Sequence, residues 1–247
     1  MTLDGKTARV LGLQERSGAS ELMDTMTLPP AVADRTLRFL EMTNRRFGGT
    51  AIVLRYLDRW CAAWPAGQAL SILDVGTGAA DIPLALVAWA KRRDIPVRIT
   101  AIDMAPDIAA VARARVANAA EIAVEQATLA KVAASGRRFD YVTASLFLHH
   151  VPPPDLREAL LAIDRVAVRG VVLGDLVRSA AGFLAVGFLS AIAGNTIVRH
   201  DGPLSVRRAF TVEELSSVVT DVGLPYLRAR REGPFRLSLA GEKERHA

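Results

Sequence analysis

Apolar residues along this chain keep two rhythms. Short runs rich in Val, Ile and Leu alternate with longer stretches in which apolar positions recur every three or four residues. The short runs are Leu70–Val75, Val97–Asp103, Ile122–Gln126, Phe139–Ser145 and Arg169–Gly174, the last ending at Asp175, and each has strand length. Between them the spacing predicts helices over Ile82–Lys91, Pro106–Asn118 and Leu156–Val166. In the first, Ile82, Leu86, Trp89 and Ala90 share a face, and in the last, Asp155 is placed to cap after three prolines. A loop is expected from Gln126 through Gly136. Strands alternating with helices describe an α/β fold, doubly wound, with a parallel sheet covered on both faces.

The two ends depart from that rhythm. Residues 1–20 read as a loose tail, and helices follow over about Val32–Arg46 and Thr50–Trp64, separated by Phe47-Gly48-Gly49. We expect 1–67 to form a tail and helical cap, and 68–247 the main domain. Ser179–Gly194 is apolar around much of its helical circumference. It is short and glycine-interrupted, whereas a membrane span needs about 20 apolar residues. It reads either as the wall of a greasy pocket, with Phe183 and Phe188 as lining candidates, or as a buried core or dimer helix. We expect 179–210 to cover a substrate. Thr211-Val-Glu-Glu214 is a capping box opening a helix that closes at Gly223. Tyr226–Arg231 and Phe235–Ala240 then form an antiparallel hairpin around Glu232-Gly233-Pro234.

Chemistry enters at Ser71-Ile-Leu-Asp-Val-Gly-Thr-Gly-Ala-Ala-Asp-Ile-Pro-Leu84, a strand running through a glycine turn into a helix. A dinucleotide site would carry a third glycine where Asp81 stands. Asp74 lies just ahead of Gly76. Carboxylates repel a pyrophosphate but attract a ligand with an ammonium group and a sulfonium centre, and S-adenosylmethionine is such a ligand. A plainer reading remains for each residue. Gly76 and Gly78 suit any tight turn, and Asp81 before Pro83 suits a helix N-cap. Asp103, at the tip of the next strand, can accept hydrogen bonds from ribose hydroxyls, and Met104 can pack on adenine.

Composition narrows the partners. The 247 residues, 51% of them hydrophobic, can bury one large core. Cys61 stands alone, which excludes an internal disulfide framework and a cysteine-based zinc site. The formal charge of +5 permits nucleic-acid binding, but the arginines are scattered without interleaved aromatics, so no nucleic-acid partner is expected. No apolar run near the start resembles a signal peptide; the expected location is cytoplasmic, without a membrane span, as monomer or homodimer.

The sequences ILDVGTGAADIPLAL, AIDMAP and FDYVTASLFLHHVPP, with the terminal hairpin, resemble class I S-adenosylmethionine-dependent methyltransferases over about residues 68–240. ELMD near the N-terminus, NRRFGG and HDGPLSVRRAFTVEEL are similar to small-molecule methyltransferases found beside type III polyketide synthases. The resemblance implies a seven-stranded, mostly parallel Rossmann-like sheet with a C-terminal antiparallel hairpin. It implies S-adenosylmethionine as cofactor, S-adenosylhomocysteine as product, and a small aromatic acceptor with or without an alkyl tail. It gives Asp74, Gly76, Thr77, Gly78 and Asp81 to the methionine end, Asp103 to the ribose and Met104 to adenine. Thr128, beside Leu129, stands where the family often has an aspartate bonding the adenine amino group. Ser145 sits where methyl and acceptor meet.

Methylation of a hydroxyl gains from a base, and histidine is the natural choice. His246 lies in the terminal tail. His149 and His150 follow strand four, where the alternative is a turn cap or backbone bond. His200 is expected in a loop over the pocket mouth, with Asp201 orienting it. Catechol-type enzymes hold magnesium with carboxylates at the tips of strands four and five; Asp175 offers one, Ser145, Leu146 and Phe147 none, so no metal is expected. The Ser145-Leu-Phe-Leu148 segment lacks the N-P-P-Y pattern of base methylation. The expectation is metal-independent O-methylation of a phenolic hydroxyl. C-methylation of a quinone-type ring and a non-catalytic cofactor binder are the alternatives.

Overall fold

The computed structural model describes residues 9–193 and 195–244; His246 lies outside them, as do parts of the expected tail and the end of the apolar helix at Gly194. In chain order the elements are α1 (Leu22–Thr25), α2 (Pro30–Arg46), α3 (Gly49–Trp60), β1 (Leu70–Val75), α4 (Asp81–Arg92), β2 (Val97–Asp103), α5 (Pro106–Arg115) and β3 (Ile122–Gln126). They continue with α6 (Leu129–Ala134), β4 (Phe139–Ser145), α7 (Leu156–Val166), β5 (Ala167–Leu176), α8 (Ala180–Ile192), α9 (Thr196–Arg208), α10 (Val212–Val222), β6 (Arg228–Glu232) and β7 (Arg236–Glu242).

Seven strands form one sheet in the order β3-β2-β1-β4-β5-β7-β6. β1 to β5 pair in parallel, and β7 runs antiparallel between β5 and β6. This is the expected seven-stranded, mostly parallel sheet with a C-terminal antiparallel hairpin. Alternation along each strand divides the core into two layers. Leu70 and Ile72 pack with Ile52, Leu57 and Leu86 on one face, while Leu73 and Val75 pack with Leu160, Ile163 and Leu215 on the other. The α10 capping box is present, and Gly223 closes that helix with φ of 81°. Among the described residues, no helix is long and apolar enough to cross a membrane.

Four expectations about elements change. The segment after β3 contains helix α6, opened by Thr128, whose hydroxyl accepts the Lys131 N–H. Ala80, with φ of 58°, caps α4, so Asp81 is its first helical residue rather than its cap. Asp155 stands ahead of α7 without a capping hydrogen bond from its side chain. His200 and Asp201 lie within helix α9, not in a loop, because Asn195 caps that helix upstream by accepting the Ile197 N–H.

Candidate active site

Strand order reverses between β1 and β4, which is where α/β sheets place ligands. A cavity of 1080 Å³ opens there. Its floor is the carboxyl ends of β1, β2 and β4, and its walls come from α1, α2, α8 and α9.

The glycine turn after β1 shapes one half. Gly76 and Gly78 have φ of 65° and 53°, a region L side chains rarely adopt. A Cβ on Gly76 would also stand 3.1 Å from the Phe147 ring. The Asp103 carboxylate accepts the Gly78 N–H and the Ala105 N–H, each at 3.1 Å, and burial raises its pKa. Those bonds fix the turn against the tip of β2 and leave lone pairs unused. Met104, 72% exposed, Thr128 and Leu129 complete this rim. The Thr128 hydroxyl is already an α6 cap acceptor, so only its remaining lone pair and its proton are free for an adenine.

Asp74 is placed differently from expectation. It lies under the turn, outside the cavity lining, where it accepts the Thr143 hydroxyl at 2.7 Å across the β1–β4 pair. Burial pushes its pKa up to about 7. Asp81 is the carboxylate that reaches the cavity from this segment, and burial raises its pKa too.

Asn44, at the end of α2, joins several elements and was not among the expected site residues. Its amide donates to Asp81 at 3.1 Å, and its carbonyl accepts from the Ser145 hydroxyl and from Arg236, each at 3.1 Å. The NRRFGG segment has a local reason to look as it does. Gly48 caps α3 with φ of 86°, and a Cβ on Gly49 would stand 2.4 Å from the Asn44 carbonyl oxygen. Leu146, just past Ser145, holds φ of 58°, a costly angle for a branched residue.

A second part of the lining is a cluster of titratable side chains. His149 is buried, and its Nδ1 lies 2.6 Å from Asp175, which also accepts the His149 N–H at 3.0 Å. His150 Nδ1 lies 2.8 Å from Asp24 of α1. The two imidazoles stand 4.2 Å apart, and Glu21 faces both: its carboxylate lies 3.7 Å from His149 Nε2 and 4.0 Å from His150 Nε2. Burial pushes the Glu21 pKa up to about 7. Burial acts the same way on Asp24, but bonds from His150 and Arg208 outweigh it and hold that carboxyl at about 2. Arg208 ties the group together by donating to the His149 and His150 carbonyls and to Asp24. Glu21 and Asp24 belong to the ELMD segment, the signal in the sequence that pointed here without giving a role.

The remaining expected residues fall elsewhere. The His200 side chain is half exposed and does not line the cavity. Asp201 is buried, and its carboxylate accepts the Leu22 and Met23 N–H groups, so it holds the first turn of α1 in place while also bonding His200. On α8, Ala185, Val186 and Leu189 face the cavity; Phe183 does not line it, and Phe188 is 69% exposed. The tips of β4 and β5 carry no pair of free carboxylates, since Asp175 is engaged by His149 and by the Leu176 N–H.

Residues 72–170 match the family model described as "Methyltransferase domain". Over those residues the chain is similar to methyltransferase domains. No curated protein matches it. Solved structures share its fold. The plantazolicin methyltransferase BpumL, solved with a desmethylPZN analog and SAH, is 13% identical with a TM-score of 0.63, over 85% of this chain and 91% of that one. Magnesium protoporphyrin IX methyltransferase from Synechocystis PCC 6803, with bound SAM, is 13% identical with a TM-score of 0.55, over 85% and 90%. The CMeT domain of the citrinin polyketide synthase is 13% identical with a TM-score of 0.59, over 76% and 50%. The residues present would suit a ligand such as S-adenosylmethionine: an open glycine turn, a strand-tip carboxylate with unused lone pairs, and acidic groups suited to a cation.

Proposed function

We propose that this chain is an S-adenosylmethionine-dependent methyltransferase acting on a hydroxyl of a small aromatic, polyketide-like acceptor. Gly76, Thr77, Gly78 and Asp81 would hold the methionine end of the cofactor, Asp103 its ribose, and Met104, Thr128 and Leu129 its adenine. Bound S-adenosylmethionine supplies a methyl group already activated by its sulfonium, leaving S-adenosylhomocysteine. What remains for the protein is alignment, which is worth several kcal/mol of barrier, and removal of the hydroxyl proton. The observation that carries the reading is one cavity lined both by apolar side chains (Leu40, Val186, Leu189) and by a histidine–carboxylate group. An aromatic ring suits the first, and a hydroxyl presented to the second gives up its proton there. His149 Nε2, backed by Asp175 through Nδ1, is the nitrogen so placed; His150 and Glu21 adjoin it. Ser145, tied to Asn44, marks the boundary between the two halves.

The test is incubation with methyl-labelled S-adenosylmethionine and a panel of phenols, alkylresorcinols and quinols, with product structures determined by NMR. Label on a phenolic oxygen is the expected result. Label on ring carbon would replace O-methylation by C-methylation, and label on none of the panel would overturn the acceptor class.

A further inference from the structure

We infer that Glu21, His149 and His150 form a binding site for a divalent first-row transition cation on the wall of the acceptor cavity. This deepens the proposed function, because it rests on reading that wall as the place where the acceptor hydroxyl is activated. With a cation bound, His149 Nε2 is its ligand, and the hydroxyl is activated at an open coordination position instead of by that nitrogen. It also replaces the metal-free expectation drawn from the tips of β4 and β5, since the site lies elsewhere.

Three observations combine. One ligand atom from each of the three side chains can be chosen so that all lie within 4.8 Å of one another. Cis ligands about a cation at roughly 2.1 Å stand about 3–3.5 Å apart, so the 3.7 Å from Glu21 Oε1 to His149 Nε2 and the 4.0 Å from Glu21 Oε2 to His150 Nε2 need contractions of up to about 1 Å. Each imidazole already has Nδ1 against a carboxylate, His149 on Asp175 and His150 on Asp24. Such outer partners fix the ring and turn the Nε2 lone pair toward a metal. Finally, Glu21 Oε1 is buried without a hydrogen-bond partner. Arg208 lies 3.7 Å from it but gives its hydrogen bonds to Asp24 and to the His149 and His150 carbonyls. A buried carboxylate with one unpartnered oxygen, facing two oriented imidazoles, calls for a partner that accepts lone pairs, and a cation is one.

Two nitrogens and one oxygen favour zinc, iron, cobalt or manganese over magnesium or calcium. Three protein ligands leave coordination positions open. All three ligands line the cavity, so an acceptor hydroxyl would enter there and be held near the cofactor half.

The untagged full chain, stripped with a chelator and free of cofactor and acceptor, should be titrated with cobalt(II) and followed by its visible d–d bands. One equivalent per chain is expected. Glu21→Gln and His150→Ala should abolish saturable binding, and Asp24→Asn should weaken it about 10–100-fold. His200→Ala, outside the cavity, should titrate like the wild type; thermal melts confirm that each variant folds. Absence of saturable binding in the wild type overturns the inference. So does binding that survives both Glu21→Gln and His150→Ala, or that His200→Ala removes. A protein that methylates phenols yet binds no cobalt would leave the proposed function standing without this site. Cobalt binding with no phenol accepted would do the reverse.

Discussion

The two halves of the cavity are built in different ways. The cofactor half is made almost entirely of main-chain turns at consecutive strand tips, from Gly76 to Asp81 and from Asp103 to Ala105, with Thr128 closing the rim. The acceptor half is made of side chains brought together from far apart: Glu21 and Asp24 from the N-terminal segment, His149 and His150 from the turn after β4, and Arg208 from the end of α9. A turn that depends on glycine φ angles is written into a few adjacent residues. A cluster spanning more than a hundred residues is held by pairwise bonds between distant segments. On the proposed function, the strand tips would supply the donor site and the side-chain cluster the chemistry of the acceptor.

The sharpest way to break this division is to remove one nitrogen from the acceptor half. In His149→Asn the amide can still bond Asp175 while the Nε2 position is lost. Turnover should fall about 10²–10⁴-fold, the range for removing a positioned proton-transfer group, with the cofactor Kd unchanged. A fall below threefold would show that His149 is structural only.

Asn44 tests the boundary between the halves. Asn44→Ala leaves the Asp81 carboxylate, the Ser145 hydroxyl and the buried Arg236 short of a partner at once. Each unsatisfied buried group costs on the order of 1–3 kcal/mol, so a clear drop in unfolding free energy is expected by denaturant titration. A stability equal to wild type would mean that water replaces the amide completely.

A gentler probe is pH. Burial raises the Asp74 pKa in the folded protein above its ordinary value, so the native state binds this proton more tightly than the unfolded chain does. Its contribution to stability is therefore present below about pH 4 and is lost as pH rises through about 7. Asp74→Asn should flatten that part of the stability–pH curve. An unchanged curve would show that Asp74 is ionised at its usual pH despite its place under the turn.

Much of the fold was legible because the apolar rhythm sets strand and helix independently of distant contacts: β1, β3 and β4 fall on the residues expected. The glycine turn and the strand tips beside it were legible for the same local reason, though Asp74 lies under the turn while Asp81 lines the cavity. The histidine cluster was legible only in part: His149 and His150 were named and line the cavity, but their partners were not named as such. His200 and Asp201 looked like an oriented base because they are adjacent, yet Asp201 is buried against the first turn of α1 and His200 points outward. Glu21 gave no signal beyond its motif, since its partners lie 128 and 129 residues further along the chain. On α8, apolarity all round hid which face lines the cavity.

The smallest effect is expected there. Phe188→Ser, at an exposed position, should change stability by no more than about 0.5 kcal/mol and leave the acceptor KM unchanged. A raised KM would show that the ring turns inward when acceptor binds.

The division itself is tested most directly by calorimetric titration of S-adenosylmethionine into two variants, Asp103→Ala and His149→Asn. Loss of a charged hydrogen-bonding partner should weaken binding to Asp103→Ala by about 1.5–3 kcal/mol, while His149→Asn binds the cofactor as the wild type does. Wild-type affinity in Asp103→Ala, or a comparable loss in His149→Asn, would contradict the separation of donor and acceptor halves.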